Sequence, residues 1–140
     1  MKIRIVYYGS GLMVKVYTLM IFVPIKLQTI KKLKEVVCGA DADNWAREVI
    51  TKAGYGANFG HSTGHGIGLE IHEMPNLSPG IKGKDNPPFP ANTIVTVEPG
   101  IYLENSFGVR IEDMVLIMHN SVKNITRIPK QISDVVFRIS

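Results

Sequence analysis

Cysteine is almost absent from this sequence, since Cys38 is the single one among 140 residues. A lone cysteine excludes a disulfide framework and a cysteine-rich zinc module, and it is consistent with the reducing cytoplasm, where we expect the protein to be located. Charged residues are also few, at 20%, whereas apolar residues make up 45% of the chain. This balance excludes a disordered protein and supplies one core, so we expect residues 1–140 to form a single domain.

The sequence also lacks an uninterrupted apolar run that could span a membrane. Its most apolar stretch, Leu12 to Ile30, contains Lys15 and Lys26 and is broken by Pro24, so it is a poor spanning helix. No small-residue cleavage site follows Val16–Val23, the short apolar region that a signal peptide would have here. We therefore expect no membrane partner.

Basic charge is unevenly distributed along the chain. Residues 1–52 carry nine Lys or Arg against four Asp or Glu, residues 53–113 carry three against seven, and residues 114–140 carry four against one. A uniform nucleic-acid-binding surface would not have an acidic middle, so we expect no nucleic-acid partner. The carboxylates of residues 53–113 are therefore candidates for binding a cation or another ligand.

The first half of the chain predicts a strand followed by two helices. Lys2–Tyr8 is rich in Ile, Val and Tyr and predicts a strand. Val14–Val37 predicts a helix that Pro24 must kink or split. A second helix is predicted to start at Asp41 as its N-cap and to end at Gly54. Apolar residues recur at helical spacing between these ends, at Ala42, Trp45, Ala46, Val49, Ile50 and Ala53.

The second half of the chain predicts β-structure. Five prolines between residues 75 and 90 predict an irregular loop. Thr93–Val97 predicts a strand, and Val109–Met118 and Val135–Ile139 are β-rich, with a turn at residues 119–121 between them. Helices followed by strands predict an α+β fold with helices packed on one face of a curved, mostly antiparallel sheet.

Three histidines, His61, His65 and His72, lie in a glycine-rich segment of the acidic middle. A phosphate loop is disfavoured because no Gly-Lys-Ser/Thr follows the glycines. A helical zinc pair from His61 and His65 is disfavoured because glycines flank His65 on both sides. A third interpretation is a strand or loop that passes close to a buried site and directs His65 into it. A single histidine would favour a structural role, but three in this frame favour a site.

Two glutamates extend this pattern. Glu98 ends the predicted strand Thr93–Val97, and Glu112 lies within an apolar run, where burial of an unpaired carboxylate is costly. A solvent-facing strand end would also explain Glu98, and an ion pair with Arg110 would explain Glu112. Together with an imidazole, the two carboxylates form a plausible site for Mn, Co, Fe or Zn.

Three blocks of the sequence resemble the C-terminal half of the Xaa-Pro peptidases. They are residues 64–75 (GHGIGLEIHEMP), 96–102 (TVEPGIY) and 108–113 (GVRIED). Xaa-Pro peptidases are the prolidases and aminopeptidases P of the creatinase/methionine-aminopeptidase superfamily, and the blocks occur in that family's order. The resemblance implies the α+β "pita-bread" fold, here incomplete, and hydrolysis of the peptide bond before proline.

The resemblance also implies the roles of individual residues. His65, Glu98 and Glu112 would be ligands of two divalent metal ions, with Glu112 bridging both. A metal-bound hydroxide would attack the scissile carbonyl between metals ~4 Å apart, and Glu98 would carry the proton to the leaving nitrogen.

Three further residues acquire roles from the same resemblance. His72 would hydrogen-bond the substrate, a proline-containing peptide, or the tetrahedral intermediate. His61 would line the substrate pocket. Arg110 would not bind the metal itself but would orient the side chains that do.

The sequence departs from the family in its metal ligands. The family has five, and its two aspartates precede these blocks, whereas no Asp occurs here before Asp41. We therefore expect a truncated C-terminal part of the catalytic domain that binds two, one or no metal ions. A non-catalytic relic or peptide-binding module on the same fold is the alternative to a metallopeptidase. Surface exposed by the truncation favours a homo-oligomer.

Overall fold

A computed structural model describes residues 4–7, 24–34, 37–80 and 87–129. Two helices are present in this part of the chain, α1 at residues 24–32 and α2 at Gly39–Lys52, and a short 3-10 helix follows at Gly56–Asn58. The strands are β1 Arg4–Tyr7, β2 Gly64–Gly66, β3 Glu73–Leu77, β4 Thr93–Val97, β5 Gly100–Leu103, β6 Phe107–Arg110, β7 Asp113–Ile117 and β8 Val122–Asn124.

The strands form two antiparallel sheets. One sheet has the order β1-β6-β5, and the other has the order β3-β2-β4-β7-β8. The β2–β3 register shifts between His65 and Gly66, which marks a bulge or irregularity in the strand pair at the histidine. The predicted α+β class with a mostly antiparallel sheet is therefore confirmed.

The helices cover both sheets and link their cores. One core cluster joins α1, α2 and the three-stranded sheet, through Ile25, Ala46, Ile50, Phe59, Ile101, Phe107, Val109 and Ile111. The other joins the same helices to the five-stranded sheet, through Ile30, Leu33, Val37, Ala42, Leu77, Phe89, Val95, Val97, Val115 and Ile117. Burial of these side chains is the main force that holds helices and sheets together.

Helix α2 begins earlier than predicted. Cys38 is the N-cap, and Asp41 lies in the first turn, so the prediction of Asp41 as N-cap is wrong. The thiol of Cys38 donates to Asp41 Oδ2 at 3.1 Å, and a carboxylate suits the positive end of the helix dipole. The predicted end is confirmed, because Gly54 follows the C-cap with φ +88°. Trp45 packs against the second core cluster as expected.

Helix α1 ends before the predicted boundary at Val37. Residues 33 and 34 are no longer helical, and Val37 accepts a backbone hydrogen bond from Phe89 at 2.9 Å. Cys38 forms an isolated bridge with Pro88, so the chain is extended here. Residues 14–23 of the predicted helix lie outside the described residues, as does the predicted strand at 135–139. In the part of the chain that the structure describes, neither helix has the length and apolarity to cross a bilayer.

Lys26 is fully buried, although it lies in the apolar stretch that its charge was expected to interrupt. Its Nζ is 2.7 Å from Asp113 Oδ2, and both side chains are at most 1% exposed. A buried charge is tolerated when it is paired in this way. Asp113, which directly follows Glu112 in the sequence, thus forms its ion pair with α1.

Two predictions of β-structure need correction. The run Val109–Met118 is not one strand, because β6 and β7 belong to different sheets and are separated by residues 111 and 112. The proline-rich loop starts later than predicted, because Pro75 lies within β3. Strand β3 is at the edge of its sheet, where a proline that lacks an N–H is tolerated.

Candidate active site

The backbone of strand β2, which carries His65, lies very close to the backbones of its two neighbouring strands, β3 and β4. A Cβ on Gly64 would overlap the carbonyl oxygen of Thr96 in β4, and a Cβ on Gly66 would lie 2.5 Å from the carbonyl oxygen of Met74 in β3. Only glycine permits backbones to approach this closely. The structure therefore agrees with the third interpretation of the histidine segment, in which a glycine-flanked strand positions His65.

His65, the central residue of β2, lies beside Glu98, which directly follows β4. Nε2 of His65 is 3.0 Å from Oε1 of Glu98, and both side chains are 12% exposed. Thr96 connects the two residues: its hydroxyl accepts from the backbone N–H of His65 at 3.0 Å and donates to Glu98 Oε1 at 3.0 Å. The structure thus brings together two residues that are 33 positions apart in the sequence.

The hydrogen bonds of His65 determine which ring nitrogen carries the proton. Nδ1 lies 2.8 Å from the carbonyl oxygen of Gly66, which can only accept, so we assign the proton to Nδ1. A neutral ring then directs the Nε2 lone pair at the Glu98 carboxylate, and two acceptors would face each other at 3.0 Å. A second ring proton or a cation resolves this conflict. A ligand histidine in a metal site has the same arrangement, with Nδ1–H on a carbonyl and Nε2 towards the metal.

Arg110 and Glu112 complete the charged group around Glu98. Nε of Arg110 is 3.6 Å from Oε2 of Glu98, on the carboxylate oxygen that does not face His65. Glu112 follows β6 and is half-buried. Burial raises the pKa of the Glu112 carboxyl, and the negative charge of Glu98 raises it further, whereas Arg110 and His65 lower it. Two carboxylates thus share a partly buried site, as expected of a site for cations.

Because the pKa of Glu112 is raised, we expect Glu112→Gln to increase the free energy of unfolding in a pH-dependent way. The folded protein keeps this proton to a higher pH than the unfolded chain, so stability falls as pH rises from the ordinary value of 4.5 through the raised value. Above this window, in a chelator, we expect Glu112→Gln to raise the free energy of unfolding by less than about 1 kcal/mol, because solvent screens the half-exposed carboxyl. Below it, the two proteins should have equal stability. Thermal unfolding across this pH range measures both.

Glu104→Gln is the matched control for Glu112→Gln. Glu104 is exposed in the turn between β5 and β6, and its substitution removes the same charge outside the site. If Glu104→Gln increases the free energy of unfolding by the same amount, the effect does not come from the site that Glu98 and Glu112 share. A loss of stability in Glu112→Gln at neutral pH without metal would contradict the assignment of the effect to that site.

His72 lies beside His65 at the surface. The centroids of the two rings are 4.2 Å apart, at an interplanar angle of 49°. The exposed loop that carries His72 is closed by Glu73, whose carboxylate accepts from the backbone N–H of Glu70 at 3.2 Å. The structure therefore places His72 where it can reach a molecule bound at His65.

His61 belongs to a neighbouring group of aromatic residues. Nδ1 lies 2.7 Å from the carbonyl oxygen of Ser62, and Nε2 lies 3.2 Å from the hydroxyl of Tyr102, which can donate to it. The ring also makes an edge-on contact with Phe59, at a centroid distance of 5.2 Å. A neutral His61 thus satisfies both of its ring nitrogens, in contrast to His65.

Gly100→Ala is expected to separate His61 from Tyr102. A Cβ at Gly100 would lie 2.8 Å from both His61 Nε2 and the Tyr102 hydroxyl, so both side-chain tips must move. Because side-chain tips move easily, we expect the free energy of unfolding to fall by no more than about 1 kcal/mol. We also expect loss of the nuclear Overhauser effect between the two rings. Gly60→Ala is the control, because a Cβ there meets nothing within 4 Å; an unchanged ring contact in Gly100→Ala would contradict the prediction.

Thr96 and Tyr102 were not identified as site residues from the sequence, although both lie in the TVEPGIY block. Residues two apart in a strand point to the same face. Because Thr96 precedes Glu98 by two residues, this spacing could have predicted that Thr96 lies beside Glu98. Tyr102 had no such signal, because its contact with His61 spans 41 positions and arises only from the packing of β5.

The donor set fits a divalent ion in chemistry but is incomplete in number. Among the described residues, no group of three or more His, Cys, Asp or Glu side chains has the geometry to hold a metal ion. His65 Nε2 and Glu98 Oε1 converge, and Glu112 adds a partly buried carboxylate nearby. Imidazole and carboxylate donors suit Mn, Co, Fe and Zn, so the residues present match part of such a site.

Comparison with known proteins places this site in a family. Residues 5–119 match the model of metallopeptidase family M24. The chain is 40% identical over 105 residues to the Xaa-Pro dipeptidase of Pyrococcus furiosus. It superposes on the X-Pro aminopeptidase from Thermotoga maritima with a TM-score of 0.80 and 41% identity, over 91% of this chain. The family match over most of the chain and the shared fold define a metallopeptidase-like domain, and the chain belongs to the M24 family.

The chain spans only about a third of these relatives. The matched region covers 75% of this chain but 29% of the P. furiosus dipeptidase, and 35% of the T. maritima aminopeptidase structure. A methionine aminopeptidase from T. maritima, at 19% identity, shares the fold with a TM-score of 0.62. The chain is thus an α+β portion of the pita-bread fold, with its helices on antiparallel sheets.

Proposed function

We propose that the chain carries part of the active site of a metal-dependent peptidase of the Xaa-Pro dipeptidase or aminopeptidase type, which hydrolyses the bond before proline. The observation that carries this proposal is the 3.0 Å approach of His65 Nε2 to Glu98 Oε1, with the His65 proton on the opposite nitrogen. A cation bound by the imidazole and the carboxylate would remove the conflict between the two facing acceptors. The M24 relatives named Xaa-Pro dipeptidase and X-Pro aminopeptidase support the reaction type.

In this proposal His65, Glu98 and Glu112 hold the metal. One or two divalent ions, of Mn, Co, Zn or Fe, would bind there, and they would supply Lewis acidity and an activated water at neutral pH. A cation would satisfy the lone pair of His65 and would lower the cost of ionising Glu112 beside Glu98. The resemblance implies two aspartate ligands as well, and no complete ligand cluster forms among the described residues.

The other proposed roles are those that the family resemblance implies, and the positions of the side chains support them. Glu98 carries a proton from the attacking water to the leaving nitrogen, since one of its oxygens faces His65 and the other faces Arg110. Arg110 orients that carboxylate. His72, exposed beside His65, hydrogen-bonds the peptide or the tetrahedral intermediate, and His61 lines the pocket in which the peptide lies.

The experiment is hydrolysis of Xaa-Pro dipeptides by the purified chain with Mn²⁺ or Co²⁺ added. Turnover by the wild type and its loss in His65→Ala are expected. His119→Ala is the matched control, because this histidine is exposed in the turn between β7 and β8. Equal turnover by the wild type and by His65→Ala, or no turnover by either, would contradict an autonomous peptidase.

A second candidate function is a non-catalytic relic or peptide-binding module. Its supporting observation is that no complete metal cluster is formed among the described residues. In that case Xaa-Pro peptides would bind equally well with a chelator present, as calorimetry can measure. Metal analysis of the purified protein separates the two candidates, since two tightly bound ions per chain would contradict the relic.

We also propose a cytoplasmic location and a proline-containing peptide as the partner. Cys38 is a free thiol, as in proteins of reducing compartments. The basic residues of the first half have different surroundings in the described part of the chain. Lys31, Lys32 and Lys34 are exposed, but Lys26 is buried in an ion pair, and Lys32 lies 5.1 Å above the ring of Trp45. Localisation of the tagged protein in cells tests the first proposal.

Self-association is the proposed oligomeric behaviour. The loop that carries His72 and the start of β3 expose three apolar side chains, Leu69 at 104%, Ile71 at 73% and Met74 at 64%. Exposed apolar residues this close in sequence favour association. Light scattering should give a mass above one chain for the wild type, and Ile71→Ser combined with Leu69→Ser should lower it. A monomeric wild type would contradict the proposal.

A further inference from the structure

The carboxylate of Asp43, in the second turn of α2, is fully buried and surrounded by hydrogen-bond donors. Oδ1 accepts from the backbone N–H of Thr63 at 2.9 Å, from its hydroxyl at 3.0 Å and from Nη2 of Arg47 at 3.1 Å. Oδ2 accepts from Nε of Arg47 at 2.7 Å. A buried carboxylate must be satisfied by such donors, and here all of them come from one arginine and one threonine.

Arg47 extends this network to the segment that carries His61. Its Nη1 donates to the carbonyl oxygen of Phe59 at 3.0 Å, and its Nη2 donates to that of His61 at 2.9 Å. The guanidinium also lies 4.2 Å from the centroid of the Phe59 ring. The planar fork of an arginine can make all of these contacts at once, and a lysine cannot.

Residues 59–63 depend on these contacts because they form neither helix nor strand. Arg47 supplies donors to the backbone carbonyls of Phe59 and His61 in this segment. The segment also reaches the other half of the site. The carbonyl oxygen of Thr63 accepts from the backbone N–H of Glu98 at 2.7 Å. One short segment thus connects α2 to both His61 and Glu98.

We propose that Asp43 and Arg47 are positioning residues of the candidate active site. They hold residues 59–63 so that His61 faces Tyr102 and the backbone of Glu98 stays beside His65. The inference rests on the proposed function in that the residues being positioned are those of the peptidase site. The core contacts of Ala46 and Ile50 already attach α2 to the sheets, so the polar network has a separate task.

The first test measures position directly and needs no turnover. Arg47→Lys keeps the positive charge but loses the planar guanidinium and its several donors. Asp43→Asn keeps the shape of the side chain but loses the negative charge. In both variants we expect loss of the nuclear Overhauser effect between the rings of His61 and Tyr102. The contact between His65 and His72 serves as an internal reference, because no residue of α2 takes part in it.

The second test measures catalysis on an Xaa-Pro dipeptide with Mn²⁺. We expect kcat/KM to fall by roughly 10–100-fold in Arg47→Lys, as for other residues that orient active-site side chains through hydrogen bonds. The double variant with Asp43→Asn should fall no further than Arg47→Lys alone, because the two side chains act as one unit. Leu33→Ala is the control for lost stability, since Leu33 is buried in the second core cluster away from this network.

The outcomes separate the inference from the proposed function. Variants that fold, keep the contact between His61 and Tyr102, and match Leu33→Ala in kcat/KM within about twofold would overturn the positioning role. A wild type without turnover would contradict an autonomous peptidase, and the ring contact would still decide the positioning role. If Asp43→Asn does not fold, the more conservative Arg47→Lys decides it.

Discussion

Mn²⁺ is expected to raise the Tm of the wild-type chain and to leave the Tm of Glu98→Gln unchanged. A ligand that binds only the folded protein, at a hundred times its Kd, adds about 2.7 kcal/mol to the free energy of unfolding. For a chain of this size that corresponds to roughly 5–10 °C in Tm. In Glu98→Gln a neutral amide replaces the carboxylate that faces His65 Nε2 at 3.0 Å. Differential scanning calorimetry with and without Mn²⁺ measures the shift.

His65→Ala should abolish the same Mn²⁺ shift, because it removes the nitrogen donor of the proposed site. Glu104→Gln is the charge-matched control and should keep the full shift, since Glu104 is exposed in a turn outside the site. A shift of wild-type size in both Glu98→Gln and His65→Ala would mean that Mn²⁺ binds elsewhere. That result would remove the metal site from the proposed function.

Gly64→Ala is expected to have the largest effect on folding. Its Cβ would overlap the carbonyl oxygen of Thr96 and lie 2.8 Å from the carbonyl carbon. Thr96 is fully buried within β4, which pairs with β7 along its whole length, so its backbone cannot move away. We expect the free energy of unfolding to fall by about 3 kcal/mol or more, or β2 to detach from β4. Denaturant unfolding measures the first outcome.

Gly60→Ala is the control for Gly64→Ala. No atom lies within 4 Å of a Cβ at Gly60, and alanine restricts the unfolded chain, so this variant should be as stable as the wild type or slightly more so. Detachment of β2 in Gly64→Ala would appear as loss of the contact between His65 and His72 in a folded protein. A stable Gly64→Ala variant with that contact intact would contradict the close approach of the two strands.

Much of the site could be predicted from the sequence, because local rules apply to it. Glycines on both sides of His65 exclude a helix and permit close strand packing, and the structure places His65 on β2. Glu98 was expected at the end of the strand Thr93–Val97, and it directly follows β4. The approach of His65 to Glu98 confirms that the two motifs meet. The roles of these residues, and the extent of the domain, stay predictions.

The remaining site contacts could not be predicted, because they join residues that the sequence separates widely. Asp43 was one of two aspartates near the start of a helix, and only packing shows that it accepts three hydrogen bonds at Oδ1 and one at Oδ2. The charge of Lys26 was expected to interrupt an apolar stretch, yet Asp113 comes within 2.7 Å and permits its burial.

The sequence by itself determined the α+β class, the second helix with its end at Gly54, and the glycine-framed strand at His65. These depend on period, turn chemistry and backbone sterics, which act over a few residues. Only the tertiary structure decided which side chains share the site. It placed β6 and β7 in different sheets, brought Glu98 between His65 and Arg110, and connected α2 to His61 through Arg47. Such contacts depend on how helices and sheets bury their apolar faces together, and no local pattern encodes that.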